Sequence, residues 1–149
     1  MKVTYLTIEG INYIFDNISP TSLYEIERFG KTPVQVKGHF IRNIGKEFSG
    51  IFYTDEGTPQ AMIMLELIGK NKWRADIITV NGAWERIGKA LNKFLINIGD
   101  DLISRTNGML EAYTPYDDEI HRRWFKSMGF IKDNSYNMTK IFRYFKQVR

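Results

Sequence analysis

The side chains able to move protons or hold charge fall into three stretches of this chain. Glu66, Asp76 and Glu111 are carboxylates set inside apolar, β-rich runs, and such surroundings can tune a carboxylate into a general base. The same three positions also read as ordinary strand carboxylates. Further on, "YTPYDDEIHRRWF" brings Tyr113, Tyr116 and His121 close together. A phenol or imidazole there can donate a proton, or can pack and hydrogen-bond at the rim of a core. Between Asp76 and Glu111, Arg86-Ile87-Gly88-Lys89-Ala90 falls at the start of the longest helical pattern. Small residues and basic side chains at a helix start suit a phosphate, and a solvated basic helix face is the plainer alternative. His39, with Lys37 and Arg42 nearby, forms no recognisable site.

Composition removes several classes of chemistry. With no cysteine the chain has no disulfide, thiolate nucleophile or Cys-based zinc site, and two histidines leave little for a metal, so none is expected. The 149 residues, 43% hydrophobic and 14% aromatic, suit one domain over 1–149 with its own core. No apolar run is long enough to cross a bilayer, and "MKVTYLTIEG" lacks the layout of a signal peptide, so a cytoplasmic protein without a membrane partner is expected. The net charge of +4 draws on Lys126, Lys132, Lys140, Arg143, Lys146 and Arg149 near the C-terminus. A polyphosphate or a nucleic acid would favour that field, as would a merely solvated face.

The elements that must position these residues follow from pattern. "KVTYLTI" and "INYIFDNI" read as two strands joined by a tight turn at Glu9-Gly10. "SPTSLYEIERFG" reads as a helix capped by Ser19 or Thr21 and stopped at Gly30, and "TPVQVKGHFIRNIG" as a second short helix, with a strand as the alternative. "SGIFYT", "QAMIMLELIG" and "WRADIITV" form an antiparallel meander. Trp84, Ile87, Leu91, Phe94, Leu95, Ile98 and Leu102 mark the buried face of a long helix, followed by the strand "MLEAYT". A strand–helix–strand unit of this kind makes its strands parallel. The last helix is expected to begin at Thr114 and Pro115, to bury Ile120, Trp124 and Met128, and to stop at Gly129. Strands around "FIKDNSY" and "KIFRYFK" close the domain.

This order of elements resembles the GCN5-related N-acetyltransferases, and two local sequences carry the resemblance. "VNGAWERIGKAL" is similar to the family's loop between its fourth strand and long helix, with Gly88-Lys89-Ala90-Leu91 at the matching end. Ala83 stands where Arg or Gln is usual, and Arg86 where the first glycine is usual. "EAYTPYDDEIHRRWFKSMGF" is similar to the family's last motif, ending in Phe125 and Gly129-Phe130. Phe125 stands where many members have a Tyr that protonates the departing thiolate. The run His121, Arg123, Trp124, Lys126 and Gly129 also resembles the acetyltransferase-like internal virion proteins of T7-like phages.

The resemblance implies an α/β domain with a mixed six- or seven-stranded sheet and helices on both faces. It implies acetyl-CoA as co-substrate, held through Val80, Arg86, Gly88, Lys89 and Ala90, and an amine acceptor. Asp76, Tyr116 and His121 are then the catalytic candidates. A bulky residue at Gly88 is expected to block phosphate while pointing outward. Other virion proteins are implied partners, with nucleic acid as a weaker alternative, in the host cytoplasm or the virion. A relative without catalysis, acting by interaction, is the second reading.

Overall fold

The computed structural model describes residues 1–147; Arg149 of the basic set lies outside the described residues. The elements run β1 (Lys2–Thr4), α1 (Ile8–Asp16), α2 (Pro20–Arg28), α3 (Pro33–Arg42), β2 (Ser49–Tyr53), β3 (Pro59–Gly69), β4 (Lys72–Thr79), α4 (Ala83–Thr106), β5 (Met109–Thr114), α5 (Glu119–Ser127), β6 (Ile131–Lys132) and β7 (Phe142–Gln147). The strands make one mixed seven-stranded sheet in the order β1-β2-β3-β4-β5-β7-β6. As the strand–helix–strand pattern predicts, β4 and β5 are parallel, with Lys72 opposite Met109 and Arg74 opposite Glu111. The β1–β2, β2–β3, β5–β7 and β6–β7 pairs are antiparallel. Two compact units share these elements: Met1–Leu65 with Asp76–Leu91, and Glu66–Ala75 with the chain from Asn92 onward.

In the first unit the expected hairpin at Glu9-Gly10 is absent. Thr7 caps a helix instead, its hydroxyl accepting the Gly10 N–H at 3.1 Å. Gly10 is a packing residue, because a Cβ there would fall 2.3 Å from Ile51 Cδ1 on β2. The alternation of Ile, Tyr and Phe that suggested a strand hides a helical spacing in which Ile11 and Ile14 are fully buried. The next two helices form as expected. Ser19 caps α2, and Gly30 ends it with φ of +73°. Thr32 and Gln35 make a reciprocal capping box on α3, at 2.9 and 3.2 Å, with Pro33 in the first turn. Phe40 of α3 and Ile26 of α2 join Ile11, Ile14, Ile51, Met62, Met64, Ile78 and Val80 in one core.

In the second unit, Phe125, Tyr144 and Ala112 form the buried cluster, with Trp124, Phe130 and Phe142 packed against it. The last helix starts later than the sequence suggests. Asp118 caps it, accepting the His121 N–H at 2.9 Å, while the Thr114 hydroxyl accepts the Tyr116 N–H of the preceding turn at 3.1 Å. Of the stripe expected to be buried, Met128 is buried and Trp124 partly so, but Ile120 is 79% exposed and Phe125 is buried instead. At the other end Phe130 N–H bonds Phe125 C=O and Gly129 N–H bonds Lys126 C=O, both at 3.0 Å, with Gly129 at φ of +90°. Phe125 and Phe130 meet edge to face across this cap. The aromatic-x-x-x-Gly-Phe run is therefore a Schellman stop with its hydrophobic contact.

Of the long helix, Ile87, Leu91, Leu95 and Leu102 are buried as expected, but Trp84 is 38% exposed. No helix among the described residues is long and apolar enough to cross a membrane.

Candidate functional site

The first unit holds the loop expected to bind phosphate. Thr79, at the end of β4, is fixed to the start of α2: its N–H donates to Ser22 Oγ at 3.0 Å and its C=O accepts the Ser19 N–H at 2.8 Å. Val80 follows with both backbone groups engaged, its N–H on Gln60 C=O at 2.9 Å and its C=O on Ala83 N–H at 3.2 Å. Gly82, at φ of +77°, lets the chain turn into α4. Over this turn lies Arg86. Its Nε donates to Gln60 Oε1 at 2.5 Å and its Nη2 to Asn81 C=O, and a Cβ on Gly82 would come within 2.7 Å of Nη1. The guanidinium thus occupies the space that the missing side chain leaves.

Gly88 is buried, and a Cβ there would touch the Trp84 ring at 3.5 Å. That is ordinary van der Waals contact, so a Cβ at Gly88 fits beside the ring. Lys89 and Ala90 are exposed on the next turn. In side-chain chemistry the Arg86 guanidinium and the Lys89 ammonium suit a pyrophosphate, while the Ala83 and Arg86 N–H groups at the helix start are taken by the Val80 and Gly82 carbonyls.

The carboxylates divide by environment. Glu66 lies 3.4 Å from Arg74, and Glu111, fully buried, is held by Lys72 at 2.7 Å, Arg143 at 3.0 Å and the Tyr113 hydroxyl. These two, with Tyr113, belong to the packing of the second unit. Asp76 has a different companion. Glu25 of α2, partly buried, has its carboxyl pushed up to about 8, chiefly by burial and further by the charge of Asp76. A carboxyl pair of this kind holds a proton near neutral pH and can exchange it. Sequence reasoning missed Glu25. The signal was its place three residues after Ser22 on the helix face that also carries Ile26.

Tyr116 and His121 come together in the second unit. Their rings stack with centroids 4.2 Å apart and planes 11° from parallel, and His121 Nδ1 lies 2.8 Å from both oxygens of Asp118. Phe125 stacks instead on Tyr144, with centroids 4.1 Å apart. The Tyr144 hydroxyl is buried with no hydrogen-bond partner among the described residues, and that burial raises its pKa. Three members of the basic C-terminal set are paired: Lys132 with Asp117, Arg143 with Glu111 and Asp133, and Lys146 with Asp100. Among the described residues no group of three His, Asp or Glu could hold a metal.

No protein-family model and no curated protein matches the sequence. Solved structures do. The GNAT domain of a Streptomyces lividans PAT protein aligns over 98% of this chain and 89% of its own, with a TM-score of 0.72 and 13% identity. PaiA N-acetyltransferase from Thermoplasma acidophilum, in complex with coenzyme A, aligns over 99% and 98%, with a TM-score of 0.71 and 13% identity. Spermidine N-acetyltransferase from Vibrio cholerae, in complex with CoA and spermine, aligns over 97% and 94% at 0.67 and 10%. The chain therefore has the fold of the GNAT acetyltransferases. Identities this low establish the fold alone.

Proposed function

We propose that this protein transfers an acyl group, acetyl in the simplest case, from acyl-CoA to the amine of an acceptor in the cytoplasm. The observation that carries the reading is the likeness, over nearly the whole chain, to enzymes whose coenzyme A complexes are known. The Arg86 loop supports it with a cationic helix start, Lys89 and Ala90 lying on the following turn. In this reading the backbone of β4 up to Val80 lies along the pantetheine arm, and Arg86 exchanges Gln60 and Asn81 for phosphate oxygens. The Gly88–Trp84 contact keeps the first turn closely packed beneath. Asp76 with Glu25 takes the amine proton, and His121 or Tyr116 returns one to the thiolate, since Phe125 has none to give. A spermidine acetyltransferase among the similar structures favours a small polyamine as the first acceptor to try.

The test is thermal. At about 100 times its Kd, acetyl-CoA should add about 2.7 kcal/mol of stability, which for a chain of this size is about 5–10 °C in Tm. No shift at millimolar acetyl-CoA would remove the reading. A second one would then stand: a GNAT-fold relative without catalysis, a virion or host-interaction protein of the T7-like phage kind. Arg86 lying over Gly82, and Phe125 in the place of a proton donor, favour it.

A further inference from the structure

We propose that Asp118 is a positioning residue that fixes His121 as the proton donor to the departing thiolate; this assignment rests on the acyl-transfer reading above. The geometry sets it apart from an ordinary helix cap. A cap needs one oxygen for one backbone N–H, and Asp118 Oδ1 supplies that at 2.9 Å from the His121 amide. Both carboxylate oxygens also lie 2.8 Å from His121 Nδ1. The same carboxylate therefore holds the backbone and the ring of one residue. The Tyr116 ring covers one face of the imidazole at 4.2 Å, and Tyr116 is itself tied by its N–H to Thr114 Oγ1. Edge and face are both fixed.

What remains is Nε2, which makes no hydrogen bond among the described residues, on a side chain 31% exposed. A carboxylate at Nδ1 keeps that nitrogen protonated, so the second nitrogen carries whatever proton is exchanged. The neighbouring charges do not compete for the ring. Asp117 is engaged by Lys132 at 2.9 Å and Arg122 at 3.3 Å, and Glu119 by Arg123 at 2.7 Å.

In the transfer, the amine nitrogen bonds to the thioester carbonyl carbon and loses a proton to a carboxylate or to water. The C–S bond then breaks, and the thiolate takes the proton from Nε2 of the imidazolium. His121 is left neutral with its proton on Nδ1, and solvent restores the second.

The experiment separates positioning from capping with three variants of the full chain. Asp118→Ser keeps a good N-cap without a carboxylate at Nδ1, and Asp118→Asn keeps cap and acceptor without charge. His121→Ala removes the donor. Nitrogen-15 NMR of the labelled histidines should show neutral His121 protonated at Nδ1 in the parent and at Nε2 in Asp118→Ser. With acetyl-CoA and spermidine, kcat should fall about tenfold or more in Asp118→Ser at unchanged KM, and less in Asp118→Asn. Adding His121→Ala to Asp118→Ser should cost little more than His121→Ala alone, the mark of residues acting as one unit. Parental kcat in Asp118→Ser, or an unchanged tautomer, overturns the assignment while leaving acyl transfer standing. A parent that neither binds nor turns over acetyl-CoA overturns both, and the thermal shift tells the two failures apart.

Discussion

Replacing Glu25 by Gln should make the protein more stable at pH 8 and remove most of its loss of stability between pH 5 and 8. The parent carboxyl is protonated in the folded state up to about 8, against 4.5 in the unfolded chain. Between those values the folded state holds a proton that the unfolded state lacks, so stability declines as pH rises and the loss is complete above about pH 8. At about 1.4 kcal/mol per pH unit the full difference is at most about 5 kcal/mol. Water reaching a partly buried carboxyl reduces it, and about 2–3 kcal/mol is a realistic expectation. That corresponds to a fall of about 5–10 °C in Tm across the window. Gln has no proton to lose, so the variant's Tm should stay level there by comparison with the parent.

Asp76→Asn should recover a smaller part, because burial rather than the Asp76 charge is the larger cause. The carboxylates held below their ordinary range, Asp55, Asp117, Asp118 and Asp133, titrate at lower pH, outside this window. The assay is thermal or urea unfolding of parent and both variants at half-unit steps from pH 4.5 to 9. Parallel curves for parent and Glu25→Gln would refute the account.

If acyl transfer is confirmed, Glu25→Gln should lower kcat by about 10²-fold or more above about pH 8, where Glu25 is ionised, the usual worth of a general base, measured by coenzyme release. Phe125→Tyr should raise the rate several-fold if the only defect at that position is the missing hydroxyl; an unchanged rate would leave His121 as the sufficient donor. Phe40→Ala should cost about 3–5 kcal/mol in urea unfolding, because Phe40 is fully buried in the first unit's core. Thr7→Ala should cost about 1 kcal/mol by loss of the α1 cap.

Much of the architecture was legible because punctuation and period agreed. Ser19 and Gly30 bracket α2, Thr32 and Pro33 open α3, and the spacing of Ile87, Leu91, Leu95 and Leu102 marks α4 unambiguously. Where they disagreed, the reading failed. Ile11 to Asp16 is rich in β-branched and aromatic residues, yet the Thr7 cap and the packing of Gly10 on Ile51 make it a helix. At α5 two cap signals overlapped, Thr114 with Pro115 and Asp118, and the later one prevailed.

The site was legible by residue type and not by partnership. His121 and Tyr116 could be named together, but their stacking depends on the delayed helix start. Asp76 could be named, but Glu25 lies far from it in sequence and is brought to it by the docking of α2 on Thr79.

The charge trio around Glu111 bears on how the chain finds its register. Parallel strands form slowly, since a whole crossover must be ordered before the pairing is rewarded. A β4–β5 slip by one residue would turn Glu111 to the other face of the sheet. Lys72 from β4 and Arg143 from β7 meet on this one carboxylate, so such a slip leaves a buried charge unmatched, at a cost of several kcal/mol. A lone acid in an otherwise apolar strand thus works as an error check on assembly. Glu111→Leu is the change to watch: stability could survive it, while refolding should become heterogeneous, with a slow, misregistered fraction that the parent lacks.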